Sequence, residues 1–217
     1  MLMRWFVAAS LVLSAAACTA QPAPAADGGL VEGKDYTLIN PPVPTADASK
    51  IEVVEVFGYS CVHCAHLQPV VDAWKPKLAS DVQFVYMPAV FGGVWEVYGR
   101  AFYAAETMGL LDKTHSALFN ALHVERRPVR SVEDVAAFYA DYGTTQDEFM
   151  AAMQSFAVNA KIARAQQVVP RYGVEGTPSM IVNGKYRVMS PVQGGFPRML
   201  EVVDALIAKE RAAMAAK

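Results

Sequence analysis

The chain is short of cysteine. Its 217 residues carry three, at positions 18, 61 and 64. That is too few for a disulfide scaffold, and a Cys61–Cys64 bridge closes too short a loop to remove much chain entropy. No second CxxC and no HxxxH accompanies them, so Cys61, Cys64 and His66 offer three donors where a closed metal site needs four. An excess of basic charge is also missing. The formal net charge is −2, which argues against a nucleic-acid binder. The N-terminal apolar run, Trp5 to Ala17, is about 13 residues, too few to cross ~30 Å of hydrocarbon as a helix. No internal repeat is present.

Apolar residues are plentiful at 53% against 18% charged, enough to build a sizeable core. The first 18 residues stand apart: one basic residue, Arg4, then the apolar run, then Ala15, Ala16 and Ala17 before Cys18. This is the layout of a signal peptide. Its end resembles a bacterial lipobox with Ala15 in place of the usual large aliphatic residue, which makes Cys18 a lipidation candidate. Ordinary cleavage after Ala17, Ala20 or Ala25 is the alternative. Either route takes the mature chain out of the cytoplasm, to the periplasm, membrane-anchored if Cys18 is acylated. Only Cys61 and Cys64 are then left to explain.

Residues 19–30 are rich in Pro, Ala and Gly and read as a flexible linker. "KDYTLIN" at 34–40 predicts a short edge strand. "IEVVEVFGY" from Ile51 predicts a buried central strand interrupted by Glu55. The cysteine segment follows, then a helix over "AHLQPVVDAWKPKLA" that Pro69 should kink, then a strand at "VQFVYMP". From Trp95 to about Val169 the pattern is helical: a helix ending at Gly109, one capped by Asp112, one capped by Ser131, a Thr145/Glu148 capping box, and one more over "VNAKIARAQQVV". "SMIVNGKYRV" predicts a hairpin turning at Asn183-Gly184, and an amphipathic helix closes the chain.

The strand–CxxC–helix order places Cys61 at a helix N-terminus. There the free N–H groups and the dipole stabilise a thiolate and lower its pKa. Cys64 lies one turn on, within reach of the Cys61 sulfur. His63, between them, can offer a hydrogen bond or positive charge. A disulfide whose reduced form is stabilised is a strong oxidant.

"CVHC", "GVEGTPSM", "VFGG" and "NGKYRV" together resemble the DsbA family of periplasmic thiol:disulfide oxidoreductases, from about Val31 to the C-terminus. The resemblance implies an α/β thioredoxin fold with an inserted all-helical domain. The thioredoxin-like domain would comprise 31–93 and 166–217, and the insertion 94–165. It implies Cys61 as exposed nucleophile, Cys64 as buried resolving cysteine, His63 as tuning residue and Glu55 as a buried proton relay to Cys64. Thr177 would bind extended substrate backbone beside a cis-Pro178. Two departures are visible. Val62 replaces the family's usual proline, and a lysine that pairs with the buried glutamate in some relatives corresponds to Val85.

The expected function is oxidation of cysteine pairs in unfolded exported proteins by a monomer, with the Cys61–Cys64 disulfide in place of any cofactor. A DsbB-like membrane oxidase is implied as its partner. A periplasmic reductase or isomerase is the alternative, and a non-catalytic metal carrier is the alternative from another class. His66, His115 and His123 read as ordinary helix residues. The aromatics between Phe91 and Trp95 are candidates for an apolar substrate groove.

Overall fold

The computed structural model describes residues 29–189 and 194–216, so Cys18 and the leader lie outside the described residues. Five strands form one mixed sheet: β1 (Thr37–Leu38), β2 (Ile51–Phe57), β3 (Val82–Pro88), β4 (Ser179–Val182) and β5 (Tyr186–Met189), in the order β1-β5-β4-β2-β3. β2 and β3 run parallel and the other pairs antiparallel. Every residue of β2 is buried, as a central strand covered on both faces requires.

Helix α1 (Val62–Trp74) joins β2 to β3 and runs through Pro69 without interruption. The block between β3 and β4 is wholly helical: α2 (Val94–Thr107), α3 (Leu111–His123), α4 (Val132–Ala140), α5 (Gln146–Met153) and α6 (Phe156–Arg171). α7 (Gly195–Ala215) ends the chain. The architecture is the α/β thioredoxin fold with a helical insertion. Position 165/166, where the sequence suggested the insertion ends, falls inside α6.

Strand alternation sorts the core into two layers. Ile51 and Val53 of β2, with Met180 and Val182 of β4, pack with Leu67 and Val71 of α1 and Met199, Val203 and Leu206 of α7. Val54, Val56 and Ile181 pack on the other face with Phe102 of α2 and Ile162 and Ala165 of α6.

Local signals act where the sequence places them. Ser131 with Asp134, and Thr145 with Glu148, form reciprocal capping boxes. Asp112 does not cap α3. The helix begins one residue earlier, at Leu111, so Asp112 stands in its first turn, where a carboxylate still favours the dipole. Asn183 and Gly184 take φ of +51° and +62°, and the Lys185 N–H closes the turn on the Val182 carbonyl at 3.0 Å. Glycine is required at 184 because a Cβ there would lie 1.9 Å from the Val43 carbonyl oxygen. α7 holds this turn through buried Glu210, which accepts from Asn183 Nδ2 at 2.5 Å, Lys185 Nζ at 2.7 Å and the Tyr186 hydroxyl at 3.0 Å.

Candidate active site

β2 delivers the chain to Gly58, whose missing side chain is filled by a neighbour. A Cβ there would sit 2.0 Å from the Trp95 ring. Trp95 in turn packs on Phe91 at 5.2 Å between ring centroids, and Phe91 is 52% exposed. The Phe91–Trp95 aromatics therefore border the segment leading to the cysteines.

Cys61 is the N-cap of α1, with φ −87° and ψ 114°. Its N–H donates to the Gly58 carbonyl at 3.0 Å, and its own carbonyl accepts from Ala65 N–H at 3.1 Å. The half-buried Cys61 and fully buried Cys64 are both unbridged thiols. Cys61 donates to the Thr177 carbonyl at 3.3 Å. The Thr177–Pro178 bond is cis, and Pro178 is buried directly before β4.

The two sulfurs differ sharply in acidity. The hydrogen bond from the Cys64 thiol brings the Cys61 thiol down to about 5, against the opposing effect of its partial burial. The Thr177 side chain and the backbone N–H groups of Cys64 and His63 add to the lowering. Burial, then the hydrogen bond to Cys61 and the Cys61 charge, push Cys64 far above the ordinary thiol range. What His63 gives the thiolate here is its backbone N–H, while its side chain is exposed.

Glu55 lies on the α1 side of β2, fully buried, with neither carboxyl oxygen hydrogen-bonded. Burial first, then repulsion from Asp72 and Cys61, raise it to about 8, partly offset by the Lys75 ammonium. Val85 pairs with Val54, and Tyr86 is the residue opposite Glu55. The Tyr86 hydroxyl accepts from Gln68 Nε2 at 3.1 Å, and the same amide donates to Asp72 at 2.9 Å. A polar chain thus runs from beneath α1 to its surface.

Two histidines that read as ordinary helix residues support the active segment instead. His115 is buried, with Nδ1 2.7 Å from the Tyr59 hydroxyl and its ring 4.3 Å from that of Tyr86. Burial lowers its pKa to about 3, so it stays neutral. His123 Nε2 donates to the Tyr59 carbonyl at 2.7 Å, tying α3 to the loop before Cys61. No sequence signal separates these two from surface histidines beyond their shared helix. His66 is exposed on α1. Among the described residues no group of three or more His, Cys, Asp or Glu is arranged to hold a metal. Among them, no helix is long and apolar enough to cross a membrane.

Residues 52–199 match the family model of the DSBA-like thioredoxin domain. The thiol:disulfide interchange protein DsbA of Pseudomonas syringae pv. tomato is 42% identical over 204 residues, 94% of this chain and 95% of that protein. That of Pseudomonas aeruginosa is 41% identical over 181 residues, 83% of this chain and 86% of that protein. The crystal structure of Pseudomonas aeruginosa DsbA superposes with a TM-score of 0.82 at 41% identity, covering 88% of this chain and 99% of that one.

Proposed function

The chain belongs to the DsbA-like thioredoxin family and is a protein thiol:disulfide oxidoreductase; from that premise we propose that it runs in the oxidising direction, giving the Cys61–Cys64 disulfide to cysteine pairs of exported proteins. The observation that carries the direction is the contrast between a Cys61 thiolate held at about 5 and a Cys64 thiol pushed far up. A stabilised Cys61 thiolate lowers the free energy of the reduced enzyme, which makes the disulfide eager to accept electrons.

A substrate thiolate attacks the Cys61 sulfur. The Cys61–Cys64 bond breaks, its electron pair leaves on Cys64, and a mixed disulfide with Cys61 forms. Cys64, buried and intolerant of charge, takes up a proton. Glu55, protonated at neutral pH with a pKa of about 8, is the proposed source, and it recovers the proton from solvent. The substrate's second thiolate then attacks its own bridged sulfur and expels Cys61, a good leaving group at about 5. The substrate has lost two electrons and two protons, and the enzyme has gained two electrons. Thr177, beside the sulfur, is placed to bind extended substrate backbone next to Pro178. His63 is proposed to tune the thiolate through its backbone N–H and, when protonated, its charge.

Regeneration needs a two-electron acceptor. The family supplies a DsbB-like membrane oxidase, and that partner is proposed here together with a periplasmic location. Cys18 would add a lipid anchor if acylated. No dissociable cofactor is required.

The test is the redox equilibrium of the pair against glutathione, read by thiol alkylation. We expect a potential well above that of thioredoxin and no activity in Cys61→Ser. A thioredoxin-like potential would reverse the direction to a reductase, and full activity of Cys61→Ser would remove the mechanism.

A further inference from the structure

A second feature of the site has no part in the sulfur exchange. Directly beside Ser60, the residue before Cys61, opens a cavity of about 530 Å³. Its rim carries Arg126, Arg127 and Arg130, and His123 forms the wall it shares with the active segment. Leu122 and Tyr98 give it an apolar floor.

The three guanidinium groups are exposed and form no ion pair or side-chain hydrogen bond among the described residues. Arg127 faces the Phe138 ring at 5.5 Å, and the Arg130 charge acts on Tyr98 in the cavity wall. Two neighbouring carboxylates, Glu125 and Asp134, make their hydrogen bonds to other groups. Glu125 accepts from Asn120 at 2.6 Å, and Asp134 accepts the backbone N–H groups of Arg130 and Ser131 at 3.0 Å each in the α4 capping box. Arg126 has φ +57°, a left-handed conformation that a long side chain rarely adopts. Three cations without an ion-pair partner share one concave wall, in a chain whose net charge is −2.

On the oxidase reading above, we infer that this cavity is a specificity subsite for acidic side chains of the substrate, within a few residues of the attacking cysteine. A glutamate suits it best. Its carboxylate would meet the arginine rim and its methylenes the apolar floor. An extended chain advances about 3.3 Å per residue, so a cavity touching Ser60 is reached by a side chain two to four positions from the sulfur.

The experiment mixes the oxidised full-length protein with dithiol peptides identical except for two flanking Glu, two Ser or two Lys, and follows loss of the enzyme disulfide. At low ionic strength the Glu peptide should react about tenfold faster than the Ser peptide, and the Lys peptide slower. At 1 M salt, where the Debye length is about 3 Å, the difference should shrink to within about twofold. Acidic flanks also change the peptide's own thiol acidity, so the decisive quantity is the Glu:Ser ratio in variants. Arg126→Gly with Arg130→Ser should bring it close to one. Arg126→Lys with Arg130→Lys should keep most of it. Glycine suits the backbone at 126, and the salt series on the unmodified protein gives an independent reading. A Glu:Ser ratio unmoved by salt, or unchanged in the charge-removed variant, overturns the subsite and leaves the oxidase intact. Failure to oxidise even the Ser peptide removes the oxidase reading and the subsite with it.

Discussion

The Cys61 sulfur lies 3.3 Å from the carbonyl oxygen of Thr177, a residue 116 positions further along the chain. Two segments with no sequence proximity thus meet at one atom, and the acidity of that atom governs the chemistry.

The titration of Cys61 should betray its partner. Hydrogen bonds to charged groups contribute about 1.5–3 kcal/mol, or about one to two pKa units. Cys64→Ala removes the largest stabiliser of the thiolate, so the Cys61 midpoint should rise from about 5 by roughly that amount. Thiolate absorbance of the reduced protein against pH measures it. An unmoved midpoint would assign the stabilisation to the helix N-terminus and Thr177 alone.

The reduced and oxidised proteins should part company with pH. Cys61 has a folded value of about 5 against an ordinary 9.0. A depressed pKa contributes stability that is fully present above the ordinary value and is lost as pH falls through the folded one. The oxidised protein has no such group. The melting temperature of the reduced form should therefore rise relative to the oxidised form from pH 5 to pH 9. Above that, the buried Cys64 thiol works the other way. Parallel curves across this window would contradict the assigned thiolate.

Glu55 should cost stability where the sulfur exchange operates. Its folded value of about 8 exceeds the ordinary 4.5, so its contribution is intact below pH 4.5 and is lost as pH rises to 8. At pH 7 the penalty is about 3 kcal/mol. Glu55→Gln should be more stable than the parent by an amount of that order at pH 7 and by little at pH 4, while passing protons to Cys64 more slowly. Denaturant melts at the two pH values, with single-turnover rates, decide it.

Val62→Pro should be accepted. Val62 is the first residue of α1, 45% exposed, and its N–H makes no backbone hydrogen bond among those described. Proline favours that helical position, and the extended conformation of Cys61 suits a residue preceding it. We expect a gain of about 0.5–1 kcal/mol in both redox forms, through the unfolded chain. A loss in thermal melts would mean that the Val62 N–H has a task.

The local elements were legible because their signals are local. β2, the CxxC segment, α1, β3, the Asn183-Gly184 turn, the Ser131 cap and the Thr145 capping box all stand where residue pattern and spacing place them. What needed three dimensions was whatever depends on register between distant segments. The residue paired with Glu55 across the parallel strands is Tyr86, which no spacing in the sequence announces. His115 and His123 sit at helical spacing on α3, and only the packing of α3 against the Tyr59 loop makes them structural. Arg126, Arg127 and Arg130 lie close together along the chain, but nothing in the sequence says that they border Ser60.

The helical block departs from the sheet after β3 and returns at β4, and those two strands are the immediate neighbours of β2 on either side. It is a long detour whose entrance and exit straddle the strand leading to the cysteines. Lineages can therefore redraw the scenery around the sulfurs by editing the detour while the strands that hold the sulfurs stay fixed. On the proposed reading, the cavity that selects substrates is walled mostly by the insertion, while the acidity of the Cys61 sulfur is set by its α1 neighbours and Thr177.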